Sequence, residues 1–288
     1  MTDPLVLAQV AVSGLLLGGV YALFAAGLNV IFGVMRVINL AHGELMMLGA
    51  YGTFWLFTLY GVNPLVSLLV TVPAVAALGL LLQRFVIART VGQPLLSSLL
   101  LTFGLSTFFM GVALNLWTAD FRSVAWLSGS VALGPLAFSM ARTIGFVLAL
   151  AITLGTYFFL RATRTGKAVR ATAQQPEVAA VCGIDVARIR LITFALGAGM
   201  AAAAGSLISM MYAISPEMGR TFISKAFAII VLGGLGSFIG SFVGAIALGE
   251  AEAFTALVAD AQVAEAVAYV VLVAVLILRP SGLFGVRE

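Results

Sequence analysis

Residues 8–33, the first long apolar run of the chain, have the sequence AQVAVSGLLLGGVYALFAAGLNVIFG and contain no charged residue. A helix needs about 20 apolar residues to cross the hydrocarbon core of a bilayer, so this run is long enough to span a membrane. Further apolar runs follow at residues 38–59, 64–82, 95–117, 143–160, 191–214, 224–254 and 262–278. The sequence therefore predicts an all-α fold, a polytopic transmembrane helix bundle with about seven to eight spans.

The composition agrees with a single membrane domain over residues 1–288. Hydrophobic residues make up 62% of the chain and charged residues only 9%, whereas a soluble domain is about 25% charged. A separate soluble catalytic domain is thereby excluded. The N-terminus lacks the basic region of a secretory signal, so the first run is expected to be a retained span.

The positions of Lys and Arg predict the orientation. The loop 161–190 carries six basic residues, which places it in the cytoplasm and the N-terminus outside. The same topology puts further basic residues inside, namely Arg36, Arg84, Arg89, Arg279 and Arg287. Arg122, Arg142, Arg220 and Lys225 are left outside, so 15 minus 4, or 11, basic residues are cytoplasmic. The net charge of +4 thus indicates membrane orientation and not nucleic-acid binding.

This topology requires the run 224–254 to enter and leave the bilayer on the outer side. The stretch Gly233-Gly234-Leu235-Gly236-Ser237 interrupts the run near its middle. Non-helical backbone at membrane depth is tolerated where protein buries it or where it lines a wet cavity. We therefore predict a broken, re-entrant pair of half-helices. The alternative is one tilted span that places the C-terminus outside.

Small residues recur at four-residue spacing. They form three stripes: Gly14, Gly18, Ala22 and Ala26; Gly197, Ala201 and Gly205; Gly236, Gly240 and Gly244. Such stripes let helix backbones approach closely within a membrane. They favour tight helix packing over direct contact with a substrate.

Polar residues inside apolar runs are the candidate substrate pathway. Asn39, His42 and Glu44 lie within six residues of one another, and helical spacing would put the first two on one face. Three interpretations remain open. The group could line a path for a polar solute, or be structural, with Glu44 pairing with Arg36 and His42 satisfying a carbonyl. It could also bind a metal, although one His and one carboxylate are too few ligands. Asn29 is a further intramembrane polar group, for which a hydrogen bond between helices is expected.

The loop 161–190 predicts two short helices. Residues 168–173 form an amphipathic turn, and Pro176 suits the first position of the next helix. Gly183 can close that helix in the left-handed region, and Asp185 can cap the following span. Small apolar residues that we expect to be exposed would suit a groove on a partner, namely Ala171, Val178, Ala179 and Val181. The alternative is a loop lying on the lipid surface.

The sequence contains no signature of catalysis. No G-x-x-x-x-G-K-[ST] stretch occurs, so ATP binding through a Walker A loop is excluded. The single cysteine, Cys182, excludes an intrachain disulfide. We predict no catalytic residue, no metal site and no cofactor.

Several motifs together resemble the LIV-type permeases of ABC importers, and most of all the H-type subunit of branched-chain amino-acid uptake systems. The resemblance covers nearly the whole chain and rests on Gly14 to Leu23, Asn39 to Glu44, Gly166 to Asp185 and Val231 to Ser237. Glu177, Ala179, Ala180 and Gly183 resemble the importer coupling motif E-A-A-x-x-x-G. Val178 is inserted after the glutamate, and the downstream proline of the motif is missing.

The resemblance implies partners and a place in the cell. These are a second permease subunit of the related M-type, two ATP-binding subunits and a periplasmic substrate-binding protein, in the bacterial inner membrane. The implied cargo is a branched-chain or other small amino acid, with urea or short amides as an alternative. The pathway would be lined by Asn29, Asn39, His42, Glu44, Gly233, Gly234 and Gly236, and the coupling surface would include Arg170. An ion-coupled secondary transporter using Glu44 or Glu250 is the rival hypothesis.

Overall fold

The structure, a computed structural model, describes residues 3–127, 129–279 and 282–284. The α-helices are α1 Pro4–Met35, α2 His42–Tyr60, α3 Pro64–Phe85, α4 Leu95–Trp117, α5 Met140–Ala162, α6 Arg164–Gln174, α7 Pro176–Val181, α8 Val186–Ser209, α9 Met218–Gly233, α10 Phe238–Val258 and α11 Ala261–Leu278. A 3₁₀ turn follows α3 at Ile87–Arg89, and strands β1 Ser130–Leu133 and β2 Leu136–Ser139 form an antiparallel hairpin. Six of the described helices have the length and apolar composition of a membrane span. The predicted all-α polytopic bundle is confirmed.

Local sequence signals fix where several helices begin. The side chain of Asp3 caps α1 and that of Asn63 caps α3, each followed by a proline at the first helical position. Pro is suited to that position because the amide hydrogen it lacks would have no partner in the helix. Asp185 caps α8 by accepting a hydrogen bond from the Arg188 amide at 3.0 Å, as the sequence predicted.

Helices α1 and α8 form the buried centre of the bundle. The predicted small-residue stripes bring backbones together there: a Cβ added to Gly18 would lie 2.9 Å from the Ala245 carbonyl oxygen of α10. A Cβ on Gly205 would collide with the Met46 carbonyl of α2. The first two stripes therefore act in helix packing, as predicted. In the third stripe Gly240 and Gly244 pack on α9, but Gly236 lies outside both helices, and its added Cβ meets none of the described atoms within 4 Å.

Helices α9 and α10 form the predicted broken element. The chain reverses at residues 234–237, where Gly234 and Gly236 have φ angles of 103° and 83°, which favour glycine. The two helices, at 16 and 21 residues, are about 24 and about 31 Å long. The pair is therefore longer than the predicted 224–254, and α10 has the length of a full span. Hydropathy underestimated the pair because the first turns of α9, before residue 224, contain the charged Arg220.

Contacts between loops show which helix ends share a side. Arg122 and Ile214 form a β-bridge between the segments that follow α4 and α8, and Gln9 near the start of α1 bonds to Ala137 of β2. At the opposite end of α1, Gly33 lies beside Gly236 of the α9–α10 turn. The hairpin α9–α10 thus enters and leaves on one side, as the predicted topology requires. Arg287 lies outside the described residues.

Candidate functional site

The connection between α1 and α2 holds one of the predicted pathway residues, Asn39, and leads to two more, His42 and Glu44, in the first turn of α2. Helix α1 ends at Met35, where the capping residue Arg36 has a left-handed φ of 51°, and α2 begins only at His42. The expectation of helix from residue 38 was wrong, and Asn39 shares no helical face with His42. The Ser98 hydroxyl accepts from the Ile38 amide at 3.3 Å, and the Thr102 hydroxyl donates to the Ile38 carbonyl at 2.8 Å. These contacts with α4 satisfy backbone groups that a helix would otherwise have paired.

His42 is fully buried against α1. Its Nε2 lies 3.2 Å from the Phe24 carbonyl oxygen, and its ring stacks on that of Phe24 at 4.8 Å between centroids. The predicted bond to a carbonyl is therefore present. Its Nδ1, and both side-chain polar atoms of the buried Asn39, have no hydrogen-bond partner among the described residues. Buried polar groups are nearly always hydrogen-bonded, so these atoms need a partner that is not one of the described residues.

Glu44 is a fully buried carboxylate in the first turn of α2. Ser106 of α4 donates to Oε1 at 3.0 Å, and Oε2 has no partner within the described structure. Gly219 in the first turn of α9 makes room for the carboxyl, since a Cβ there would lie 2.7 Å from it. The proposed pairing with Arg36 was wrong, because the ion pair of the described chain joins Lys225 to Glu252.

Asn29 holds the α9–α10 turn. Its Oδ1 accepts from the Gly236 amide at 2.6 Å, and its Nδ2 donates to the Ser237 carbonyl at 2.8 Å and to the Ser241 hydroxyl. The structure therefore brings Asn29 together with Gly234 and Gly236. These bonds join α1 to the turn, which agrees with the expected hydrogen bond between helices. None of them involves Asn39, His42 or Glu44.

A buried charge cluster joins α1, α9 and α10, and the sequence analysis did not assemble it. Lys225 Nζ lies 3.0 Å from Glu252 Oε1 and donates to the Tyr21 hydroxyl at 3.0 Å. The Tyr21 hydroxyl in turn donates to Glu252 Oε2 at 2.9 Å. Opposite charges near the two ends of one broken element were the available signal, because a hairpin brings such ends together.

A second feature that sequence reasoning missed is a polar stripe on α4. Gly104, Thr107, Gly111 and Asn115 follow one another at spacings of three and four residues, which puts them on one helix face. Gly111 is half-exposed and the other three are exposed, and a Cβ on either glycine would meet no atom within 4 Å. Bulky apolar residues flank this face, Phe103 and Phe108 among them. Small and polar residues of this kind are typical of contacts between membrane helices.

Comparison with known proteins identifies the family. The family described as branched-chain amino acid transport system / permease component matches residues 10–278. This chain belongs to that family. The high-affinity branched-chain amino acid transport system permease protein BraD of Pseudomonas aeruginosa is 32% identical, over 97% of this chain and 96% of the relative. LivH of Salmonella typhimurium, described in the same words, is 30% identical over 96% and 94%.

The predicted resemblance to LIV-type permeases of the H-type is confirmed by these relatives, and the permease is a transport protein and not an enzyme. A solved structure supports the fold. PsaBC from Streptococcus pneumoniae, determined in complex with Fab, matches 93% of the permease and 91% of that chain with a TM-score of 0.50 at 14% identity. At that identity the likeness concerns the fold alone.

The loop between α5 and α8 of the permease has the predicted form. Its two helices, α6 and α7, lie within residues 164–181, and Gly183 adopts a left-handed φ of 82°. The expected exposure of Ala179 was wrong: it is 4% exposed because its side of α7 faces the bundle. Val178 and Ala180 are exposed, and Val181 is 90% exposed. A short helix thus presents apolar side chains at the end of the bundle.

Proposed function

We propose that this permease forms half of the translocation pathway of an ABC importer for a branched-chain or other small amino acid. The observation that carries the proposal is the exposed stripe on α4, since Thr107 and Asn115 are poorly suited to face lipid. A second permease subunit of the M-type packs against this face, and the solute passes between the two. The relatives named for branched-chain amino acid transport support the class of cargo.

The buried polar residues next to α4 form the inner layer of this pathway. Ser98, Thr102 and Ser106 recur every four residues along the inner side of α4. The first two bind the segment that leads to Asn39, and Ser106 donates to the Glu44 carboxyl. A shift of α4 would open the unpaired atoms of Asn39, His42 and Glu44 to the solute. Carboxylate, imidazole and amide groups suit the ammonium and carboxylate of an amino acid.

In this proposal the α9–α10 hairpin moves during transport, and the turn 234–237 is its pivot. Asn29 holds its backbone through Gly236 and Ser237, so α1 and the turn move together. Gly233 permits close contact with Gly240 across the hairpin. In this proposal the glycines set the shape of the pathway wall and do not bind the solute.

The loop around α7 couples the pathway to two ATP-binding subunits in the cytoplasm. Glu177, Ala180 and Gly183 lie exposed with Val178 and Val181 on α7 and the turn that follows it, and together they suit an apolar groove. Ala179 anchors α7 to the bundle, and Arg170 Nη2 contacts the Arg161 carbonyl at 3.4 Å, which ties α6 to the end of α5. Movement at the groove would therefore reach α5 and α8.

The first experiment is purification of the tagged permease from bacterial inner membranes with mass spectrometry of its partners. An ATPase and a second permease should copurify, and a periplasmic binding protein should supply leucine to the reconstituted complex. If the permease repeatedly purifies alone while a known importer stays intact, the ABC assignment is wrong. Uptake abolished by an ionophore and unaffected by ATP depletion would instead favour an ion-coupled transporter using Glu44 or Glu250.

A pair of matched variants tests the pathway itself. Thr107 donates to the Phe103 carbonyl and Thr255 to the Ala251 carbonyl, so both hydroxyls bond one turn back along their helices. T107V should reduce ATP-driven leucine uptake about tenfold, or ~1.4 kcal/mol, with no change in complex assembly. T255V, on α10, should transport normally. Equal activity of the two variants would remove α4 from the pathway.

A further inference from the structure

An apolar groove opens between α5 and α10 on the outside of the bundle. Its lining residues are Thr153, Leu154, Tyr157, Phe238, Ile239 and Phe242. Helices α5 and α10 both pack on α1, and the groove lies between them without a helix to fill it. The lining exposes only apolar surface. The groove is separate from the α4 stripe, because α4 packs on α2 and on the turn Ile87–Arg89.

Basic side chains gather at one end of this groove. The Tyr157 hydroxyl, in the groove wall, accepts a hydrogen bond from Arg161 Nη1 at 3.0 Å. The first turn of α6 packs on the last turn of α5 around Gly166, and the exposed Arg164, three residues after Arg161, lies at this joint. Arg170 Nη2 contacts the Arg161 carbonyl oxygen. None of these guanidinium groups forms an ion pair with the described residues.

The charges and the groove lie at the right separation for one amphipathic ligand. Leu154 precedes Arg161 by seven residues, so its Cα lies about 10 Å deeper along α5 than that of Arg161, and Tyr157, between them, joins the lining to the guanidinium. The predicted orientation places Arg161 at the cytoplasmic surface, where basic pockets between membrane helices bind anionic head groups. An apolar channel that leads inward from such a pocket is suited to an acyl chain.

We propose that this groove is a binding site for an anionic phospholipid of the inner leaflet. One acyl chain lies between α5 and α10 along Leu154 and Ile239, and the phosphate accepts hydrogen bonds from Arg161 with Arg164 and Arg170 around it. Because Arg170 belongs to the proposed coupling loop, the lipid would brace the joint between α5 and α6. The site itself depends on the described groove and charges and not on which solute is transported.

Native mass spectrometry of the purified complex tests this directly. The complex is incubated with phosphatidylglycerol or with phosphatidylcholine, and the lipid retained is counted for each variant. Wild-type protein should retain phosphatidylglycerol preferentially. R161Q should lower that retention about fivefold, whereas R84Q, which removes an exposed arginine from the last turn of α3, should leave it unchanged.

A second variant separates a lipid site from a protein contact. Ile239 is 54% exposed, so I239W should fill the groove without disturbing the core, and it should reduce retention of both lipids. Equal retention by wild-type protein, R161Q and I239W would overturn the proposal. Loss of a partner subunit from I239W with lipid retention unchanged would also overturn it, since the groove would then be a protein interface.

Discussion

Asn29 makes the stability of a backbone turn depend on a single side chain. N29L removes the acceptor for the Gly236 amide and the donor to Ser237, so we expect the free energy of unfolding to fall by about 1–3 kcal/mol. Thermal unfolding of the purified protein in detergent measures this change. N115L is the matched control, because Asn115 is exposed and, within the described structure, its side chain bonds only to the Gly111 carbonyl. Equal unfolding midpoints for N29L and wild type would contradict the role of Asn29 as a clamp.

The buried pair Lys225–Glu252 makes a second prediction at the same scale. Replacing one partner leaves a buried charge uncompensated, so E252Q should lower the free energy of unfolding by about 3–5 kcal/mol. K225M should lower the free energy of unfolding by a similar amount, because it leaves the Glu252 carboxylate without its partner. The double variant K225M/E252M should recover most of the loss, because neither charge remains. A double variant less stable than both single ones would show that the residues act separately.

Single residues were easier to find from the sequence than their partners. Asn29, Asn39, His42 and Glu44 stood out because polar groups are costly in an apolar run, and the structure buries all four. Which atoms would satisfy them could not be predicted, since Ser106 and Gly219 are distant in sequence and individually unremarkable. The same limit applied to Lys225 and Glu252, whose contact depends on how a hairpin closes.

At the scale of elements, predictions succeeded where proline, glycine or a capping residue marks the start or end of a helix. Pro176, Gly183 and Asp185 predicted the order of α6, α7 and α8, and the glycines before Ser237 predicted the break between α9 and α10. The segment between α1 and α2 was missed because its non-helical backbone is stabilised by hydroxyls on α4. Hydropathy is insensitive to such a contact, since an apolar segment scores alike whether helical or extended.

Gly183 allows a test of coupling at this scale. A left-handed residue with a branched side chain is strained, so G183V should shift α7 and uncouple ATP hydrolysis from leucine uptake in the reconstituted complex. G61V is the matched control: Gly61 also has a positive φ, of 64°, and no atom lies within 4 Å of its added Cβ, but it lies between α2 and α3. Full coupling in G183V, or the same defect in G61V, would count against docking through α7.

Orientation is a property of the whole molecule, and the charge pattern predicts it independently of the fold. The contacts between Arg122 and Ile214, and between Gln9 and Ala137, divide the loops between two ends in the way that the distribution of Lys and Arg requires. Agreement between loop contacts and charge therefore constrains the topology more tightly than hydropathy does.

The lone cysteine offers a direct measurement of that topology. Cys182 is exposed and lies in the loop that the charge pattern places in the cytoplasm. A membrane-impermeant maleimide should therefore label it in inside-out vesicles and leave it unlabelled in right-side-out vesicles. The variant C182A/A119C moves the thiol to an exposed site after α4, at the opposite end of the bundle, and should reverse the pattern. Labelling of the wild type and the variant from the same side would contradict the fold. If instead each were labelled in the vesicles where the other is expected to be, the fold would stand, but the orientation predicted from the positive-inside rule would be inverted.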